Sequence, residues 1–192
     1  MDNNIITKIK DSLQNTINPK RYLHTMGVVD ASIILAQKYD GDIFHATVAA
    51  LLHDYAKDFS RQQLMDYINT HNLSVDPIML EAYQLLHGKV AASIAEKKFH
   101  IDNIDILNAI KHHTTGRKNM SKLEKIIYLA DFIEKGRNYP GVEELRKIAE
   151  EDLDKAVLRA LNNTIVYVLS IEKLLHPNTL HARNEMLLKF EK

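Results

Sequence analysis

No stretch of this chain sustains the period-two alternation of apolar and β-branched residues that a half-buried strand requires, and nothing else in the sequence constrains the fold as much. What recurs instead is apolar residues three and four apart, in segments separated by all four prolines and most of the six glycines. Ile5, Ile6, Ile9, Leu13 and Ile17 begin the series. Asn18-Pro19 then reads as an N-cap with proline in the first turn of a second helix, which runs to about Tyr39 and turns Tyr22, Met26, Val29, Ile33 and Ala36 inward. Asp42 caps a third helix, and Ser60 with Gln63 makes a capping box for a fourth. Asp76-Pro77 opens a long segment through Phe99, Asp102 caps the next helix, and Ser121 with Glu124 makes a second capping box. After the turn Tyr139-Pro140-Gly141 come two more helical patterns, the second ending in VYVLSIEKLL. Pro177 starts a last short helix with Asn178 or Thr179 at its cap. The expectation is an all-α helical bundle in which residues 1–192 form a single domain with a full core.

The third helix carries the chemistry. Its apolar run ATVAALL ends in an adjacent His53-Asp54 pair and Lys57, and if the helix continues that far all three side chains project to one side. Imidazole, carboxylate and ammonium at the end of such a run are costly to bury unless a metal or a bound anion compensates them. His and Asp side by side suit a divalent first-row metal. Other polar residues interrupt apolar helical faces in the same way: His24, His87, His113 and Asp131. Together they fit a bundle whose successive helices each send one ligand to a common centre. Gly27 lies one turn after His24 and Gly88 directly after His87, where a missing side chain serves either a ligand or close helix packing. Tyr83 and Tyr128 read as core residues.

Composition removes several alternatives. The formal net charge is zero, so there is no global electrostatic reason to expect nucleic acid or an anionic membrane as a partner. Cysteine is absent, which excludes disulfides and thiol chemistry and leaves nitrogen and oxygen ligands for any metal. The first residues lack a signal-peptide pattern and no apolar stretch approaches a bilayer span, so a cytoplasmic location is expected.

The order H…HD…H…H…D, with the last Asp in YLADFIEKGR, matches the HD superfamily of metal-dependent phosphohydrolases. The strings RYLHTMGV, LLHDYAKD, LLHGKVAA, HHTTGR, MSKLEKIIYLADFIEKGR, DLDKAV and LLHPNTLHARN resemble the YqeK family, HD-domain symmetrical bis(5'-nucleosyl)-tetraphosphatases. That resemblance implies cleavage of diadenosine tetraphosphate to two ADP by attack of a metal-bound hydroxide on a β-phosphorus. It implies iron, or another divalent ion such as manganese or cobalt, in one or two copies, and it allows a homodimer. His24, His53, Asp54 and Asp131 would be the metal ligands. His87 and His113 would face the phosphates or complete a second metal site, and His113, followed by TTGR, matches the motif better than His112. Asp54, His87, His113 and Lys57 would take part in catalysis. Arg21, Lys57, Arg137 and the segment with Pro177, Asn178, Thr179, Arg183 and Asn184 would hold the nucleotide. Two rivals remain open: another HD activity, such as a nucleoside 5'-monophosphate phosphatase or a cyclic-nucleotide phosphodiesterase, and a non-catalytic nucleotide-sensing module.

Overall fold

Helix α3 (Ile43–Leu52) is apolar on every side, and a helix of that kind has to be surrounded. In the computed structural model, which describes residues 2–190, it is: every residue from 46 to 52 is buried, and α3 packs against α1 (Asp2–Gln14), α2 (Pro19–Lys38), α6 (Leu86–Phe99), α7 (Ile104–His112) and α8 (Lys122–Ile133). Helices α4 (Arg61–Thr70) and α5 (Pro77–Glu81) lie between these in the chain, with a single 3₁₀ turn over Tyr83–Leu85. Helices α9 (Val142–Glu151), α10 (Leu153–Ser170) and α11 (Pro177–Phe190) add a second layer, in which α10 packs on α8, α9 and α11. The described residues contain eleven α-helices and no strand, as the periodicity requires. None of these helices is long and apolar enough to cross a membrane.

Most boundaries fall at the caps read from the sequence. The Asn18 side chain accepts from the Arg21 N–H with Pro19 in the first turn, Asp42 accepts from His45 N–H, and both capping boxes close in both directions. Four boundaries differ. Asn103, not Asp102, caps α7, because its carbonyl oxygen reaches the N–H groups of both Asp105 and Ile106. The long segment after Asp76 breaks at Ala82, so His87 lies in the first turn of α6 and not in mid-helix. Ile17 is buried beyond the end of α1, and α11 runs for fourteen residues with neither Asn178 nor Thr179 as its cap. The His176 ring caps α11, Nδ1 accepting from the Asn178 N–H while Nε2 lies 3.2 Å from Asp76.

The remaining correction concerns α3 itself. The helix ends at Leu52, and residues 53 to 58 descend in tight turns with i to i+3 hydrogen bonds from Tyr55, Lys57 and Phe59. The spacing argument for His53, Asp54 and Lys57 on one helical face therefore does not apply. Lys57 still meets the cluster, because the tighter turn brings its Nζ to 3.4 Å from His87 Nε2. Tyr128 is fully buried, its hydroxyl bonded to Thr164, and Tyr83 packs on the edge of the core.

Candidate metal centre

Three histidines of the cluster sit at helix ends and are wired identically. His53 follows the last residue of α3 and donates its Nδ1–H to the Ala50 carbonyl at 2.6 Å. His113 follows α7 and donates to Ile110 O at 2.7 Å; His87, entering α6, donates to Gln84 O at 2.5 Å. Each acceptor is the carbonyl three residues back: for His53 and His113 one that the end of α3 or α7 leaves free, for His87 one in the 3₁₀ turn before α6. A neutral imidazole has a single N–H, so Nε2 of all three rings is a bare acceptor pointing inward.

What they point at is also an acceptor. Asp54 Oδ1 lies 3.1 Å from His87 Nε2 and 3.4 Å from His113 Nε2, which are themselves 3.1 Å apart. Asp54 Oδ2 lies 3.7 Å from His53 Nε2 and accepts from Arg21 at 2.7 Å. Across His53, His24 Nε2 stands 3.1 Å from Asp131 Oδ1. Lone pairs at such distances repel unless a cation or a shared proton lies between them, and His24 Nε2, His53 Nε2 and Asp54 Oδ1 are buried with no hydrogen-bond partner. Ligand atoms of His24, His53 and Asp131 lie within 4.8 Å of one another, as do those of His53, Asp54 and His113. This donor set of imidazole nitrogens and carboxylate oxygens fits a divalent first-row metal, with His53 common to both groups.

The protonation states agree with that fit. Burial, assisted by Lys57, pushes His87 down to about 4, and burial pushes His53 down to about 4 despite the Asp54 charge beside it. Burial alone would raise Asp54, but the His53, His113 and His87 rings around it hold it well below the usual carboxylate range. Asp131 is likewise held down by His24 and Arg137, while His24 itself is raised because Asp131 outweighs the effect of burial. At neutral pH His53 and His87 are thus neutral beside anionic Asp54 and Asp131, the state that metal binding requires, while a metal at His24 has to displace a more tightly held proton.

Of the other residues singled out in the sequence, Arg21, Lys57 and Arg137 all reach the cluster. Arg137 forks onto Asp131, from Nε to the main-chain oxygen at 2.7 Å and from its terminal nitrogen to the carboxylate. His113 turns into the centre, whereas His112 stays outside it, half-buried and pushed down to about 3 by burial and by Lys111 and Arg117. A cavity of about 810 Å³ opens beside His113, Asp131 and Arg137 and is walled further out by Phe132, Tyr139, Pro140 and, from α10, Asn163, Val166 and Tyr167. Pro177, Asn178, Thr179, Arg183 and Asn184 are not on its walls: Thr179 is buried, and Arg183 bonds to Asn162 and Asn184.

Two features escaped sequence reading. The α10 wall has no motif to mark it, only exposed apolar side chains at Val166 and Tyr167. Glu134, whose Oε1 lies 3.1 Å from His24 Nδ1, left a faint signal as an acid one turn after Asp131 in DFIEKGR.

A bundle that gathers His, His-Asp, His, His and Asp from five successive segments around one proton-poor centre is the architecture of an HD metal site. The HD domain family model matches residues 21–136, and the chain belongs to that family. Within it the chain falls among YqeK-type proteins. It is 42% identical to a protein of Halalkalibacterium halodurans named bis(5'-nucleosyl)-tetraphosphatase, symmetrical, over 88% of this chain and 90% of that one. A Bacillus subtilis protein of the same name is 35% identical over 90% and 92%. Its fold is similar to the crystal structure of a predicted HD superfamily hydrolase involved in NAD metabolism from Clostridium acetobutylicum, with TM-score 0.92, 44% identity, and coverage of 95% of this chain and 97% of that one.

Proposed function

We propose that this protein is a symmetrical bis(5'-nucleosyl)-tetraphosphatase that hydrolyses diadenosine tetraphosphate to two ADP. Its relatives carry that activity in their names across about nine-tenths of their length. The observation that carries the reading is the proton-poor cluster: four imidazole Nε2 atoms and two carboxylates converge beside an open cavity, with too few hydrogens to satisfy one another. A divalent ion there, which we take to be iron, supplies a nucleophile from water at neutral pH and Lewis-acid stabilisation of a phosphoryl oxygen. His24, His53, Asp54 and Asp131 would hold it, with His113 joining His53 and Asp54 if a second ion binds.

The chain's own residues do the rest. Asp54 lies within 3.9 Å of all four histidines and would help to orient what they hold. His87 and His113 face the phosphates, and a ring that takes up a proton at Nε2, for His87 from Lys57 3.4 Å away, would stabilise the equatorial oxygens or pass that proton to the departing ADP. Burial, assisted by Lys57, keeps the His87 ring neutral, and Lys57 faces the incoming anion itself. Arg21 and Arg137 keep positive charge at the mouth of an anionic centre, where a tetraphosphate must enter. Phe132, Tyr139 and Tyr167 offer apolar and aromatic surface to one nucleoside half. Pro177, Asn178, Thr179, Arg183 and Asn184 support that half from outside the cavity, through the packing of α11 on α10.

Residues 1–192 act as one domain, since beyond the family match α9 and α10 pack onto α8, α11 packs onto α10, and α10 walls the cavity. A cytoplasmic enzyme fits a chain without disulfides, and a homodimer would cover exposed Val166, Leu169 and Leu188. Product analysis tests the activity: diadenosine tetraphosphate should yield ADP alone. AMP with ATP, or hydrolysis confined to nucleoside monophosphates, would leave only the HD centre standing.

A further inference from the structure

Among the four histidines of the centre, His24 is oriented differently. His53, His87 and His113 each bond a main-chain carbonyl three residues back, but His24 lies within α2, where those carbonyls are taken by the helix itself. Its Nδ1 meets the carboxylate of Glu134 instead, at 3.1 Å, across 110 residues of sequence. Glu134 is buried, 4% exposed, and its other oxygen accepts from the Gly136 N–H at 2.5 Å, so the carboxylate cannot swing away without freeing a donor.

Space for this carboxylate depends on missing side chains at Gly136, where a Cβ would stand 3.0 Å from Glu134 Oε2, and more tightly at Gly27. A Cβ on Gly27 would stand 2.5 Å from Glu134 Oε2 and 3.2 Å from its carboxyl carbon. Gly27 has an ordinary helical backbone with no positive φ, and glycine in a helix interior is otherwise unfavourable against alanine. Neither turn geometry nor propensity explains it. The missing methyl is what lets α2 carry His24 against the acid at the end of α8. The close approach at Gly88 is of another kind: a Cβ there would meet the Lys111 and Ile110 carbonyls, so it sets how tightly α6 lies on α7.

We propose that Glu134 is a positioning residue for the metal centre, holding the His24 ring with Nδ1 protonated and Nε2 bare toward Asp131, and that Gly27 is the vacancy that admits it. This rests on the metal reading of His24. A carboxylate behind a ligating imidazole fixes its tautomer and raises its basicity, and losing one typically lowers metal affinity or activity about 10–100-fold. Gly27 touches no ligand atom of the centre among its close neighbours, so substituting it acts on the metal only through Glu134.

The test is a titration of metal-free protein with Co(II), read by visible absorption, on wild type, Glu134→Ala, Gly27→Ala and the double variant. Both single variants should bind about 10–100-fold more weakly than wild type with an altered Co(II) spectrum, and the double variant no more weakly than the poorer single. Should Glu134→Ala fail to fold, Gly27→Ala still decides, because alanine is the better helix former and the Cβ displaces only the acid. Wild-type affinity and spectrum in Gly27→Ala, or losses that multiply in the double variant, would overturn the assignment. A wild type that takes up no Co(II) would overturn the metal centre and the role of Glu134 with it, whereas equal binding by all four proteins would remove Glu134 alone.

Discussion

The two halves of the centre are built by different means. Around Asp54, the rings of His53, His87 and His113 are almost wholly buried and are held by their own main chain, each through a carbonyl three residues away. Around Asp131, the side chains are slightly more exposed, Asp131 and Arg137 line the cavity, and His24 and Asp131 are held by other side chains, Glu134 and Arg137. Local wiring gives a half whose geometry survives as long as three helix ends form. Long-range wiring gives a half that depends on how α2 meets α8 and that lies where substrate enters. One half is rigid by construction; the other can be adjusted by what binds.

The sharpest way to break this comparison is Asp54→Ala, since Asp54 touches all three locally wired rings and Arg21. Metal content and turnover should vanish together, the latter by at least ~10⁴-fold. Full metal retention by elemental analysis would show that the two halves are not one centre. Next in size, His87→Ala and His113→Ala should each lower kcat by ~10²–10⁴-fold while an ion stays bound by His24, His53 and Asp131. The neighbouring His112→Ala should stay within a few-fold of wild type, and a larger loss there would reverse the assignment of the pair.

Acid should distinguish the halves as well. Without metal, His53 and His87 titrate near 4 when folded against an ordinary 6.5, so between those values the unfolded chain binds the extra protons. Their contribution to stability is complete above about 6.5 and is lost as pH falls toward 4. His24, raised by Asp131, has the opposite sign, but its contribution changes only above about 6.5 and is constant across that window. The melting temperature of chelator-treated protein should therefore drop from pH 7 to pH 4.5 more steeply in wild type than in His87→Ala. Equal slopes would mean that the buried ring is not held neutral. The smallest effects belong to the outer contacts. Tyr167→Ala on the cavity wall should raise KM for diadenosine tetraphosphate a few-fold with little change in kcat, and Arg183→Ala, bonded to Asn162 and outside the cavity, should do less. A larger KM effect at Arg183 would bring the α11 segment into the site proper.

The locally wired half was the legible one. His53, His87 and His113 stand beside apolar runs and helix breaks that any periodicity reading exposes, and their order with His24 and Asp131 matched a known pattern. The helix argument for Lys57 nevertheless failed in its detail, because α3 ends at Leu52 and tight turns carry the lysine to His87. Asn103 displaced Asp102 as a cap for a similarly local reason: both are good capping residues, and the choice between neighbours depends on which one the incoming loop leaves in extended backbone at the helix start. The side-chain-wired half was legible only as a set of names. Asp131 and Arg137 could be singled out, but Glu134 could not be joined to His24, nor Gly27 to Glu134, without knowing how α2 and α8 cross.

By itself the sequence determined the all-helical class, most of the helix starts, the absence of thiolate ligands and a set of histidines and aspartates that the fold brings together. These follow from properties that act within a few residues: periodicity, capping, and the cost of burying imidazole and carboxylate without a partner. Only the tertiary structure decided which lone pairs meet, that the cavity wall comes from α10, and that a glycine on one helix makes room for an acid on another. Those outcomes depend on contacts between segments a hundred residues apart, and an ångström there, invisible to any local pattern, separates a bound carboxylate from a clash.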